Sequence, residues 1–83
     1  MDIKAQREII DKIDAEIIGL LAKRFAVAEA IAAEKRRTAS PLTDTAREAE
    51  IIAKAAAVLG EADAETVYRA ILAVSHRRQK EKL

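Results

Sequence analysis

Apolar residues recur at a helical period through the first part of the chain and predict one long helix over residues 2–37. Counting by sevens from Ile3 to Ile31, every position is apolar except Arg24, and a second apolar line runs beside the first. This stretch contains no proline and a single glycine, so nothing within it breaks a helix. The rest of the chain is expected to fold back on this helix.

Arg24 is the charged residue in this apolar seam. A guanidinium does not lose its charge, so an anion is expected to meet it there, either a side chain or a ligand. Lys35 lies eleven residues further on, and at about 16 Å along the axis it projects from nearly the same face. The two cations can therefore face one cavity. The alternatives are that Arg24 pairs with a glutamate of a neighbouring helix and that Lys35 belongs to an ordinary solvated helix end.

The helical pattern breaks before a second, shorter helix. Pro41 disfavours helix at Ser40, so the first helix is expected to end near that point. The second helix is predicted to begin at Asp44 or Thr45, either of which can cap it, and to end at Gly60. Its apolar face is expected to consist of Ile51, Ile52, Ala55, Val58 and Leu59. Thr45 and Glu48 also have the spacing of a capping box at the start of the second helix.

A third helix of medium length follows, with Asp63 as its predicted N-cap. Three helices, long, short and medium, leave no room for strands. The sequence therefore predicts an all-α fold in a single domain that spans residues 1–83.

The predicted first helix is too long for a single compact chain. At 1.5 Å per residue it measures about 54 Å, whereas a globule of this size is about 30 Å across. An apolar seam along the whole helix is unfavourable in water, so a second copy is expected to cover the protruding half. The sequence thus favours a helical homodimer.

Charge and composition exclude several classes of function. The 15 Lys and Arg residues nearly balance the 14 Asp and Glu residues, so no overall field attracts nucleic acid or a membrane. No apolar run reaches 18 residues and no signal-peptide core is present, which predicts a cytoplasmic protein. The chain has no cysteine and one histidine, His76, which argues against a disulfide, a thiolate nucleophile or a metal site. A structural or surface role is expected for His76.

Polar residues at helical spacing predict a small cationic pocket. Ser75 and Gln79 lie one turn apart and present a hydroxyl and an amide side by side. The start of the second helix offers free backbone N–H groups and the positive end of its dipole. The expected lining suits a small dianion and consists of Arg24, Lys35, Arg47, Glu48, Ser75 and Gln79. The alternative for Glu48 is a capping role alone.

The order and spacing of these residues resemble those of a known enzyme family. The pattern is Arg7-x6-Asp14-x9-Arg24-x10-Lys35, then Pro41-x2-Asp44-x2-Arg47-Glu48, then Ser75-x3-Gln79. It resembles the all-helical AroQ class of chorismate mutases and covers nearly the whole chain. The resemblance implies two intertwined three-helix chains that share two active sites. It also implies the Claisen rearrangement of chorismate to prephenate, a shikimate-pathway step toward phenylalanine and tyrosine, without a cofactor.

The resemblance implies the role of each site residue. Arg24 and Arg7 would grip the two carboxylates of chorismate, with Arg7 contributed by the partner chain. Lys35 and Gln79 would face the ether oxygen, where negative charge develops in the transition state.

The remaining positions of the pattern would bind the substrate's periphery. Glu48, with the backbone near Asp44, would hold the ring hydroxyl. Ser75 and Arg47 would support a carboxylate. Asp14 is expected to orient helices and stays outside the site.

Other functions remain open at this point. An isochorismate-pyruvate lyase shares the fold but lacks the carboxylates that Asp44 and Glu48 supply, so the mutase is favoured. A noncatalytic dimerisation module, or a weak nucleic-acid binder that uses residues 35–37 and 76–78, leaves Arg24 in the seam unexplained.

Overall fold

The fold consists of three α-helices in a computed structural model that describes residues 2–81. They are α1 (Ile3–Arg37), α2 (Thr45–Leu59) and α3 (Glu61–Glu81). The described chain is 89% helical and contains no strand, which confirms the predicted all-α fold. Within the same residues, no helix is both long enough and apolar enough to cross a membrane.

Both ends of α1 are determined by local side chains. Asp2 caps the N-terminus, where its carboxylate accepts a hydrogen bond of 2.8 Å from the backbone N–H of Ala5. Basic residues at positions 35–37 occupy the last turn and complement the negative end of the helix dipole. Thr38 is the C-cap of α1. The next residue, Ala39, adopts a φ of 55°, a left-handed conformation that turns the chain away from the helix axis. The predicted helix and the observed helix therefore agree closely.

Asp44 is the residue that caps α2. Its side chain accepts a hydrogen bond of 3.0 Å from the backbone N–H of Arg47. The predicted capping box between Thr45 and Glu48 is wrong, because Thr45 is already the first helical residue and Glu48 bonds a residue of α3 instead. Glu48 is thus free for a role other than capping.

The turn between α2 and α3 is a single residue, Gly60. Its φ of 91° is favourable for glycine and reverses the chain direction directly after Leu59. The Gly60 carbonyl accepts a hydrogen bond of 3.0 Å from the N–H of Ala64, so the helical ladder of α3 already starts at Glu61. The prediction of Asp63 as the N-cap is therefore wrong; its carboxylate lies in the first turn, where the helix dipole favours a negative charge.

Helix α3 lies between the other two helices and packs against both, whereas α1 and α2 do not pack on each other. Three hydrogen bonds that involve side chains join residues 24–29 of α1 to residues 75–79 of α3. Arg24 bonds Ser75 and, four residues further along each helix, Ala28 bonds Gln79, so these helices run parallel. Arg78 also donates to Glu29 at 3.0 Å and stacks over the ring of Phe25 at 5.2 Å. This arrangement leaves a space beside α3 that α1 and α2 enclose from opposite sides.

The chain buries few apolar side chains by itself. Within residues 2–81, the buried apolar residues are Ala32, Ala64 and Leu72. Val58 is 85% exposed and Leu59 is also exposed, so the expected apolar face of α2 is uncovered at its C-terminal end. A small chain with so little core needs stabilisation from elsewhere.

The N-terminal half of α1 extends beyond the packed part of the molecule. The molecule measures 54 × 24 × 14 Å and has a radius of gyration of 15.8 Å, against about 12 Å for a compact chain of this length. Large aliphatic side chains along this half stay exposed: Ile3, Ile9, Ile10, Ile13, Ile17, Ile18 and Leu20. They form an apolar surface that residues 2–81 do not cover.

Candidate active site

A cavity of about 750 Å³ opens between the C-terminal half of α1, the start of α2 and the C-terminal half of α3. Both apolar and polar side chains line it. The lining residues are Lys23, Arg24, Val27, Ala28, Ile31, Lys35, Leu42, Asp44, Arg47, Glu48, Glu50, Ile51, Lys54, Leu72, Ser75, His76 and Gln79. All three helices and the loop before α2 thus contribute to one space.

Seven of the eight residues named from the sequence as site residues line this cavity. Arg7 does not: it is exposed on the protruding half of α1, 17 residues and about 25 Å along the helix from Arg24. Asp14, which was expected to stay outside the site, is exposed on the same part of α1 and does not line the cavity. The predicted site residues therefore lie together in one cavity, with the exception of Arg7.

Arg24 enters the cavity from α1 and is oriented by Ser75 on α3. Its guanidinium donates a hydrogen bond of 3.0 Å to the hydroxyl oxygen of Ser75, which is only 4% exposed. No carboxylate of residues 2–81 pairs with Arg24, so the glutamate partner considered above is not observed in the described chain. The half-buried guanidinium keeps further N–H donors for an anion.

Lys35 enters the cavity near the end of α1. Its ammonium donates a hydrogen bond of 3.1 Å to the backbone carbonyl of Leu42, which ties the loop before α2 to α1. An ammonium has three donors, so this contact leaves two of them for a ligand. Lys35 is half-buried, in contrast to the solvated helix end considered as its alternative.

Gln79 lines the cavity from α3 and is 8% exposed. Its amide nitrogen donates a hydrogen bond of 2.9 Å to the backbone carbonyl of Ala28. This bond fixes the amide plane against α1 and leaves the second N–H of the amide group as a donor. A neutral donor is thus held in a buried position one turn from Ser75.

The first turn of α2 contributes further polar residues to the cavity. Asp44 is occupied with capping the backbone of Arg47, whose exposed side chain reaches the rim of the cavity. Glu48 is more deeply placed, with 16% of its side chain exposed, and its Oε2 lies 2.8 Å from Nε2 of His76 on α3. One carboxylate oxygen of Glu48 is therefore held by α3 while the other can accept a further hydrogen bond.

The cavity carries a net positive charge. Five cationic side chains line it against three carboxylates, an excess of two positive charges with His76 neutral. Two of the three carboxylates are further compensated, since Asp44 caps α2 and Glu48 bonds His76. Cations in a partly desolvated space attract a dianion more strongly than the same charges in water. The cavity therefore has the sign of charge that binding of a small dianion requires.

Sequence reasoning missed four polar lining residues: Lys23, Glu50, Lys54 and His76. A signal for His76 was available, because it follows Leu72 by one helical turn and so shares the face that carries Ser75 and Gln79. Its bond to Glu48 crosses from α2 to α3 and depends on how these helices pack. A helical period alone does not predict that contact.

Comparison with known protein families gives a match over most of the chain. A family model described as Chorismate mutase type II matches residues 6–80. No curated protein and no solved structure matches the chain. The matched range includes all three helices and every residue of the cavity.

Proposed function

The chain belongs to the chorismate mutase type II family, and we propose that its cavity converts chorismate to prephenate. The family is one of isomerases. The observation that most strongly supports the proposal is that seven residues of the family pattern, far apart in the sequence, line one cationic cavity. The substrate is a small dianion, and the cavity has the charge to bind it.

The reaction requires positioning and charge stabilisation rather than a nucleophile. One ether C–O bond breaks while one C–C bond forms within the same molecule, so no atom is gained or lost. The enzyme must hold the substrate in its compact diaxial conformer. It must also stabilise the negative charge that develops on the ether oxygen.

Arg24 is proposed to bind one substrate carboxylate. A guanidinium matches a carboxylate with two parallel N–H donors, which fixes orientation as well as charge. The bond to Ser75 presets the rotamer of Arg24 before substrate arrives. Arg47 is proposed to support the same anion from the rim of the cavity. Preorganised donors cost little reorganisation during the reaction.

Lys35 and Gln79 are proposed to donate hydrogen bonds to the ether oxygen. Lys35 contributes a positive charge from α1 and Gln79 a neutral amide from α3, and both are anchored by backbone carbonyls. Because the ether oxygen gains negative charge only as the bond breaks, these donors stabilise the transition state more than bound chorismate. Glu48 and the backbone near Asp44 are proposed to hold the ring hydroxyl at the other wall.

The second carboxylate is proposed to bind Arg7 of a second chain. Arg7 lies too far along α1 to reach its own cavity, and the apolar surface around it is uncovered. In a two-fold dimer with antiparallel α1 helices, the start of one helix passes the cavity of the other. We therefore propose an intertwined homodimer in which Arg7 completes the partner's cavity.

Sedimentation equilibrium tests the homodimer directly. At micromolar concentration the protein is expected to sediment at twice its chain mass of 9.1 kDa, because association buries the aliphatic side chains along α1. Circular dichroism on the same sample controls for folding. A folded species of single-chain mass would contradict the shared-site architecture.

The proposed activity is tested by following the ultraviolet absorbance of chorismate, with products separated by chromatography. We expect loss of absorbance with prephenate as the product. Release of pyruvate from isochorismate, without prephenate formation, would indicate the lyase of the same fold. Absence of any turnover by folded dimer would favour a noncatalytic dimerisation module.

Gln79→Glu is expected to shift activity toward acid. The introduced carboxyl donates a hydrogen bond only when protonated, and as a carboxylate it repels both the ether oxygen and the Ala28 carbonyl that Gln79 now contacts. Its ordinary pKa is about 4.3, and burial among these oxygens raises the pKa because the charged form is disfavoured. Activity should therefore fall as pH rises through that raised pKa.

The pH profile of kcat/KM from about 4.5 to 8 measures this shift. The parent protein, with an amide that does not titrate, serves as the control and should stay active across neutral pH. An identical profile for Gln79→Glu and the parent would remove Gln79 from the site.

A further inference from the structure

We propose that His76 is a positioning residue that sets the recognition of the ring hydroxyl, by holding the carboxylate of Glu48 from α3. This inference rests on the proposed function and names a residue that the family pattern used above does not include. Nε2 of His76 lies 2.8 Å from Oε2 of Glu48. The contact joins α2 to α3 across 28 residues of sequence.

The direction of the hydrogen bond follows from the chemistry of the two groups. An ionised carboxylate has only acceptors, so Nε2 of His76 carries the hydrogen and donates it. Hydrogen bonds to a charged group are shorter and stronger than neutral ones. The bond therefore restricts the Glu48 side chain, which would otherwise sample several rotamers at the exposed start of a helix.

Burial makes this restraint effective. The Glu48 side chain is 16% exposed and that of His76 is 36% exposed, so the carboxylate is the more deeply placed of the two. With Oε2 bonded to His76, Oε1 remains to accept from a substrate hydroxyl. Within residues 2–81, no Lys or Arg side chain pairs with Glu48, so His76 is its side-chain partner there.

The expected consequence is selective for one part of the substrate. The ring hydroxyl does not take part in bond breaking, so holding it strengthens binding of ground state and transition state about equally. Loss of His76 should therefore raise KM more than it lowers kcat. Loss of His76 should also raise KM only when the substrate carries the ring hydroxyl.

The test compares His76→Ala, His76→Gln and the matched control Arg77→Ala. Arg77 is the next residue on α3, is exposed and pairs only with Glu81 at 3.6 Å among the described side chains. With chorismate, His76→Ala should raise KM about tenfold, the size expected for loss of one charged hydrogen bond. His76→Gln should stay within about threefold of the parent, because its amide nitrogen donates from nearly the position of Nε2. Arg77→Ala should leave KM unchanged.

The same proteins are then assayed with an analogue in which hydrogen replaces the ring hydroxyl. His76→Ala and the parent should turn over this analogue with equal KM, since Glu48 then has no substrate group to bind. An equal rise in KM for chorismate and for the analogue in His76→Ala would overturn the inference. It would indicate a structural role or a direct contact between His76 and another part of the substrate.

A spectroscopic measurement tests the hydrogen bond without any turnover. His76 is the only histidine, so its imidazole nitrogen signals in a ¹⁵N-labelled sample need no assignment. We expect the pattern of a hydrogen on Nε2, and a shift of that signal in Glu48→Gln. An unshifted signal would overturn the inference about His76 but not the proposed function. Failure of the parent to convert chorismate would instead overturn the proposed function.

Discussion

Arg24→Ala is expected to lower kcat/KM for chorismate by about 200- to 1000-fold, equivalent to about 3 to 4 kcal/mol of transition-state stabilisation. The reason is the position of the guanidinium: it is half-buried, bonded to the Ser75 hydroxyl and without a carboxylate partner among residues 2–81. A charge held in that way is available to a substrate carboxylate. Its removal leaves that carboxylate desolvated and without its bidentate partner.

Two further variants separate this effect from a loss of fold. Arg69→Ala removes an exposed arginine of α3 that pairs with Glu65, and it should change kcat/KM by less than about twofold. Arg24→Lys keeps the charge but loses the paired donors, so its activity should fall between those of Arg24→Ala and the parent. If Arg24→Ala keeps activity within a few-fold while its circular dichroism is unchanged, the proposed site is wrong.

The helices could be predicted from the sequence because their signals are local. Asp44 and Gly60 each act within one turn of their own position, so residue type and spacing were sufficient. The predicted start of α3 is wrong because Gly60 ends α2 and also directly precedes α3, so no separate capping residue lies between the two helices. Local sequence rules therefore predict the helices, but they do not predict that the turn between α2 and α3 is only one residue long.

The cavity could be predicted only in part. Residues on one helix face, such as Ser75 and Gln79, follow from the helical period. The anchors of these side chains do not, because Ala28 and Leu42 contribute backbone carbonyls whose availability depends on packing and loop path. The bond between His76 and Glu48 has the same origin. Hydrogen bonds of this kind depend on how the helices and the loop pack, so the sequence pattern alone does not predict them.

Arg7 is the residue for which geometry and sequence pattern disagree within one chain. It matches the family pattern, yet it is exposed on the protruding half of α1 and is absent from the cavity lining. Along the helix it lies about 25 Å from Arg24 and about 42 Å from Lys35. A single small dianion cannot span such distances, so a role for Arg7 requires a second chain.

Mixing two inactive variants tests that role, and we expect it to restore roughly a quarter of the parent activity. Arg7→Ala and Arg24→Ala chains are unfolded, mixed in equal amounts and refolded, so that about half of the dimers contain one of each. In each mixed dimer one cavity combines the intact Arg24 of one chain with the intact Arg7 of the other, while the second cavity lacks both. Each variant refolded alone should be nearly inactive.

A second mixture provides the matched control. Arg24 and Lys35 line the cavity of the same chain, so mixed dimers of Arg24→Ala and Lys35→Ala contain no cavity with both residues intact and should recover no activity. Mass spectrometry under native conditions counts the mixed dimers in both experiments. Recovery in the first mixture but not in the second is expected only if α1 of one chain supplies Arg7 to the other. Equal activity of the two mixtures, with mixed dimers present in both, would mean that Arg7 does not act across the interface.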